Sequence, residues 1–339
     1  MAKRYDYMDW LRVLSIFAVV GIHVSSKIIN SAPPTEWAWQ YAHVINSALR
    51  WCVPIFFMLS GALLLTRRPA DSIWDFLKKR LTKAFIPLLF WSCIYIAYRV
   101  FEQGHSYTLW EMVKLILSED VYYHLWFLYT IIGLYVMAPF LQILVHNINQ
   151  KAFLYFLGFW FLFSGVFPFF PKFFEFEMAF TAGLFEPYIG YFMLGAYLMR
   201  YPISKKRLPL LAALAAIGYV VTWYGTLYVT EQEGKFDDFF YEHFYPNNVV
   251  ISLFIFVLFQ HLAPRIKSSP LITRLSTATL GIYVIHPLVQ IYLNKLFEFN
   301  ERAINPAIGV PLAWVVIYFV SFGIILVLQK IPVVKQIVP

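Results

Sequence analysis

The stretch LRVLSIFAVVGIHV, residues 11–24, is apolar enough for the core of a membrane-spanning helix, yet it holds Arg12 and His23. An ionisable side chain is costly inside a bilayer, and such groups are kept there mainly for function. Eleven helical residues advance about 16.5 Å and turn about three times plus roughly 20°. The two side chains therefore share one face, near opposite membrane boundaries. Each alone has an ordinary account: an arginine near a helix start can snorkel to the headgroups, and a histidine near the other end can sit at the interface. Sharing a stripe favours an interior, partly hydrated cavity. Histidine offers a base near neutral pH and arginine a permanent anion clamp. The pair points to a phosphate-bearing substrate entering from the cytoplasm, with chemistry deeper in the membrane.

The elements that must position this pair are spanning helices. The 339 residues are 60% hydrophobic and only 14% charged, against about 25% charged in soluble domains. Apolar runs predict an all-α polytopic membrane protein with about ten transmembrane helices, near 10–29, 45–65, 83–101, 122–146, 152–170, 181–200, 208–230, 247–263, 278–298 and 308–330. No internal repeat, low-complexity tract or soluble appendage interrupts residues 1–339, which read as a single membrane domain. Lys3 and Arg4 before an apolar run imitate a signal peptide, but an uncleaved first helix fits better. Most of the 27 Lys and Arg fall in alternate connecting segments, including Arg67, Arg68 and the Lys78–Lys83 run, beside the acids Asp71 and Asp75. This places both termini in the cytoplasm. The segment 231–246, EQEGKFDDFFYEHFYP, is then acidic and outer, either a solvated loop or a lid over a carbohydrate. The net charge of +8 is a topology signal and requires no nucleic-acid partner. Cys52 and Cys93 lie in apolar runs and read as packing residues.

Further polar groups cluster near the same helix. Arg80 and Lys83 are three apart, on one helix face at the inner mouth of the third helix, where positive-inside topology alone also accounts for basic residues. Asn46 and Arg50 are an i, i+4 pair near His23 in depth. Arg50 could stabilise a developing carbonyl charge, bind an acidic sugar, or snorkel to the outer headgroups. His124, beside Trp126, belongs either to an aromatic interface belt or to an outer substrate site, with Trp126 a face for a sugar ring. Tyr283 and His286 could face the same cavity, or His286 could make a structural hydrogen bond. His43, His105 and His243 fall in predicted outer loops without ligand-like spacing, and no metal site is expected.

Five stretches, in order, resemble the membrane acyltransferase-3 family. WLRVLSIFAVVGIHVS resembles its Arg-x10-His first helix. NSALRWCVPIFFMLSGALLL (46–65) is similar to its second helix, through Pro54, Phe57, Ser60 and Gly61. FLKKRLTKAFIPLLFW (76–91) resembles its basic inner loop, with lysine at Lys83 where the family more often has arginine. YYHLWFLYTIIGLYVMAPFLQ (122–142) resembles its His-x-Trp-Phe-Leu segment and LSTATLGIYVIHPLV (275–289) its Gly-Ile-Tyr-x-x-His segment. The resemblance implies an O-acetyltransferase using acetyl-CoA as acyl donor, without metal, in a bacterial plasma membrane. Its acceptor would be a hydroxyl of a surface polysaccharide or lipid-linked sugar. Arg12, with Arg80 and Lys83, would position CoA, and His23 would act as general base or as a nucleophile carrying the acetyl group. Asn46, Arg50, His124, Trp126, Tyr283 and His286 would contact the acceptor. The rival class is a transporter or flippase of a lipid-linked sugar, which ten helices with intramembrane charges also suit. A non-catalytic scaffold leaves Arg12 and His23 unexplained.

Overall fold

The computed structural model describes residues 5–67, 72–174, 187–297, 305–332 and 334–338. Lys3 and Arg4 of the signal-peptide-like start, Arg68 and Asp71 of the orienting segment, and the first turns of the helix expected from 181 lie outside the described residues. Helix α1 runs Asp6–Ile29, opening with Asp6 and Asp9 in its first turn, where carboxylates suit the positive end of the helix dipole. The second span is broken into α2 (Trp37–Leu49) and α3 (Cys52–Leu64). Pro54 supplies no N–H to the Arg50 carbonyl four residues back, which accounts for the break at Arg50–Trp51.

Helix α4 (Ile73–Gln103) starts ten residues before its expected position, capped by the Ser72 hydroxyl and closed by Gly104 in the left-handed region. The Lys78–Lys83 cluster therefore sits on a helix and not in a loop. A short amphipathic helix, α5 (Leu109–Leu117), begins with a capping box between Thr108 and Glu111. Its exposed Leu109, Trp110 and Leu117 suit the membrane interface. Then come α6 (Trp126–Asn147), α7 (Gln150–Trp160), a π-helical segment Phe161–Val166, α8 (Phe169–Phe174) and α9 (Tyr188–Arg200). Helices α10 (Leu208–Glu233), α11 (Pro246–Leu262), α12 (Pro270–Thr277), α13 (Thr279–Phe297) and α14 (Pro306–Leu328) complete the bundle.

Among the described residues there is no strand. Within the described residues, eight helices are long and apolar enough to cross a membrane, nine if α12 and α13, bent by 66°, form one span. The 13 described residues of α9 are too few to span alone but occupy the remaining expected position.

The packing is that of a protein solvated by hydrocarbon. Phe140, Ile143, Ile217, Val220 and Phe319 face outward, while Ser25, Asn46, His124, His286 and Gln290 are buried. Helix α1 lies at the centre, against α2, α3, α11, α12, α13 and α14. That location turns most of α1 toward other helices and away from lipid. Helices α3 and α9 cross with backbones in contact. A Cβ at Gly61 would collide with the Phe192 carbonyl, and one at Gly195 with the Met58 carbonyl. Small residues permit this approach in membranes, where dispersion contacts drive helix association.

Candidate active site

A cavity of about 540 Å3 opens between α1 and its neighbours. Its size falls in the range of pockets that hold small organic ligands. Arg12, Lys83, Ser276, Thr277 and Thr279 line the end nearest the basic segments, and His23, Arg50, Trp126 and His243 line the other. Val19, Ile22, Val53, Phe56 and Ile131 form apolar walls between them. Because α1 is continuous, the Arg12–His23 register expected from helical geometry places both side chains on this one cavity.

At the basic end, Arg12 Nη1 donates to Asp9 Oδ1 at 3.1 Å. Asp9 is held in turn by Ser276 Oγ, which donates to the same oxygen at 2.8 Å. The bend between α12 and α13 brings Ser276, Thr277 and Thr279 to the cavity beside this pair. Lys83 is exposed and lines the mouth. Arg80 does not line the cavity; its guanidinium lies 6.0 Å from the Phe76 ring and within electrostatic reach of Tyr135, a lining residue.

At the other end a chain of hydrogen bonds fixes the His23 ring. His286 is fully buried, with Nδ1 3.1 Å from the Ile282 carbonyl and Nε2 2.8 Å from His23 Nδ1. A carbonyl can only accept, so His286 Nδ1 carries the proton and its Nε2 the lone pair. His23 Nδ1 must then donate to that lone pair. His23 Nε2 is left as the unprotonated nitrogen, with no hydrogen-bond partner among the described residues, on a ring that lines the cavity. Pro287 contributes to the arrangement: lacking an N–H, it leaves the Tyr283 carbonyl unpaired within the helix, beside His286 Nδ1. The Tyr123 hydroxyl lies 3.4 Å from His23 Nδ1 and closes the ring from another side.

The remaining expected residues divide. Trp126 and Tyr283 line the cavity. His124 and His286 do not; both are buried. Their rings are 5.7 Å apart. The Tyr283 hydroxyl donates to the His124 carbonyl. His23, His124 and His286 do not converge on a point, and no group among the described residues could hold a metal ion. Asn46 is also buried, its amide nitrogen donating to the Ile22 carbonyl of α1 at 3.1 Å.

His243 belongs to the cavity although its spacing gave no sign of it. The segment before α11 folds inward, carrying Phe240, Tyr241 and Tyr245 into buried positions. Asn248 Nδ2 donates to the Phe240 and Glu242 carbonyls at 3.1 and 2.8 Å. His43 Nδ1, on α2, is 2.5 Å from the Tyr241 hydroxyl. Lys172 ties the segment from outside, 2.6 Å from Asp237 and 3.3 Å from Glu233. Thus restrained, His243 places Nδ1 3.0 Å from the Tyr188 hydroxyl and stacks its ring near Trp126, at 6.4 Å between centroids. The solvated-loop account of 231–246 does not hold for these residues. The aromatic density of DDFFYEHFYP and the Asn247–Asn248 pair at the helix entrance are the sequence signals of a packed segment.

A family model described as an acyltransferase domain matches residues 5–330. No curated protein and no solved structure gives a significant match.

Proposed function

This chain belongs to the membrane acyltransferase-3 family, and from that premise we propose that it moves an acetyl group from cytoplasmic acetyl-CoA to a hydroxyl of a cell-surface glycan or its lipid-linked precursor. As a family member it is an integral-membrane acyltransferase; the donor, the acceptor and the residue roles are the proposal. The observation that carries it is the single cavity joining Arg12 and Lys83 to His23. CoA has phosphates at one end and a thioester at the tip of a long arm, comparable to the roughly 16.5 Å of helix between Arg12 and His23. Arg12 and Lys83 receive the phosphates, with Arg80 adding positive potential behind them. Asp9 holds the Arg12 guanidinium in place, and Ser276 and Thr277 offer hydroxyls at the same mouth.

His23 acts at the far end. Its Nε2 takes the proton of the acceptor hydroxyl as the hydroxyl oxygen bonds to the thioester carbonyl carbon. When the carbon–sulfur bond breaks, the electron pair leaves on sulfur and His23 returns the proton to it. The products are an acetyl ester and CoA thiol. His286 orients the ring and selects the tautomer, as an orienting partner does in hydrolase triads. Trp126, close to His243, offers an aromatic face to a sugar ring. The family resemblance suggests a bacterial plasma membrane as the setting, with the donor on the cytoplasmic side.

The test is calorimetry of acetyl-CoA with the purified protein and its Arg12→Ala and His23→Ala forms, alongside acetyl transfer into membrane vesicles. Arg12→Ala should weaken binding, and His23→Ala should bind while losing transfer. A folded wild-type sample that binds no acetyl-CoA refutes the reading.

A further inference from the structure

Arg50 stands at the break between α2 and α3 and lines the cavity on the His23 side. Among the described residues no carboxylate forms an ion pair with it. Its contacts are neutral: Nη2 donates to the Asn46 side-chain oxygen, and the guanidinium carbon lies 3.7 Å from the centre of the Tyr241 ring. Its Nε is buried without a partner. Asp238 and Glu242 act on it only at longer range. Arg50 is partly buried, and a cation drawn out of water without a bonded anion is costly. It is retained where negative charge arrives with a ligand or develops in a reaction.

Asn46 indicates which. Its amide nitrogen lies within bonding distance of the Ile22 carbonyl at 3.1 Å, Ser25 Oγ at 2.8 Å and Ser26 Oγ at 2.9 Å. Those groups belong to the turn of α1 that carries His23. One side chain thus grips the His23 turn with its nitrogen and the guanidinium with its oxygen, so the cation is registered to the base. The guanidinium and the His23 imidazole line the same cavity.

We propose that Arg50 is a catalytic residue that stabilises the oxyanion of the acyl transfer, an inference that rests on the acyl-transfer reading above. As the acceptor oxygen bonds to the thioester carbon and its proton passes to His23, the carbonyl electron pair moves onto oxygen, and Arg50 donates to that oxygen. When the carbon–sulfur bond breaks, the pair returns to re-form the carbonyl and Arg50 is unchanged. Asn46 is the positioning residue. The competing source of negative charge is a carboxylate or phosphate on the acceptor itself.

The experiment measures CoA thiol release from acetyl-CoA by full-length wild type, Arg50→Gln and Arg50→Lys. It uses inside-out vesicles, which supply acceptor and water, and detergent-purified protein, where water alone accepts. Calorimetry with acetyl-CoA runs in parallel. Arg50→Gln should lower kcat in vesicles by about 10²–10³-fold, the usual effect of removing an oxyanion donor, with acetyl-CoA affinity within about threefold of wild type. Arg50→Lys, which keeps the charge but not the fork, should fall between the two. If Arg50→Gln lost binding through misfolding, Arg50→Lys with intact binding carries the test, and wild-type kcat in it overturns the proposal. Wild-type kcat in Arg50→Gln also overturns it. So does retained water-driven release with loss only of transfer into vesicle material, which would assign the guanidinium to an acceptor anion. Absence of CoA release by the wild type would instead count against the acyl-transfer reading itself.

Discussion

Replacing His286 by leucine isolates the hydrogen bond that sets the His23 tautomer. The leucine fills the buried site but offers no acceptor to His23 Nδ1, 2.8 Å from His286 Nε2 in the wild type. Leaving one buried donor unpaired costs about 1–3 kcal/mol. Spent wholly on the reactive state, that is a loss of about 5- to 150-fold in kcat. Acetyl-CoA affinity should be unchanged, because His286 does not line the cavity and the end proposed to hold the phosphates is a helix-length away. His286→Gln should recover most of the rate, since a glutamine oxygen can take the place of Nε2 as acceptor. A purely structural histidine would lose binding, folding and rate together in both variants. The assay is CoA release at saturating acetyl-CoA, with calorimetry for affinity. A His286→Leu enzyme with kcat within about threefold of wild type, or one that glutamine fails to rescue while folding normally, would refute the tautomer argument.

Three further outcomes follow from the same geometry. Gly195→Ala should lower the detergent melting temperature and the folded yield by fluorescence-detected gel filtration. Its Cβ meets the Met58 carbonyl, a backbone group unable to swing aside, and overpacking of this kind costs about 1–3 kcal/mol or more. Lys83→Ala should weaken acetyl-CoA binding several-fold at low salt and less at high salt, because Lys83 is exposed at the cavity mouth, where the proposed phosphate contact would be screened; equal loss at both salts would contradict that proposal. His243→Ala should reduce acetylation of vesicle material while leaving acetyl-CoA affinity intact, since His243 lies at the end of the cavity remote from Lys83; loss of donor binding would refute it.

The sequence by itself determined the membrane class, the approximate spans and the shared face of Arg12 and His23. All of these are local: hydropathy sets the solvent of a segment, and the 3.6-residue period sets which of its side chains align. The Asn46–Arg50 bond is legible for the same reason, being one helical turn. The sequence did not reveal that His286 is the partner of His23, because the two are 263 positions apart and meet only when α13 packs on α1. The His124 motif marked a polar group at a helix start, but packing by Tyr95, Tyr122 and Tyr283 turned it into the interior behind the cavity. His243 was hidden for a converse reason: an acidic connecting segment ordinarily faces water, and its inward course depends on distant anchors, His43, Tyr188, Tyr191 and Lys172. Helical register is written along the chain, whereas the groups that finish the site are set by contacts between helices.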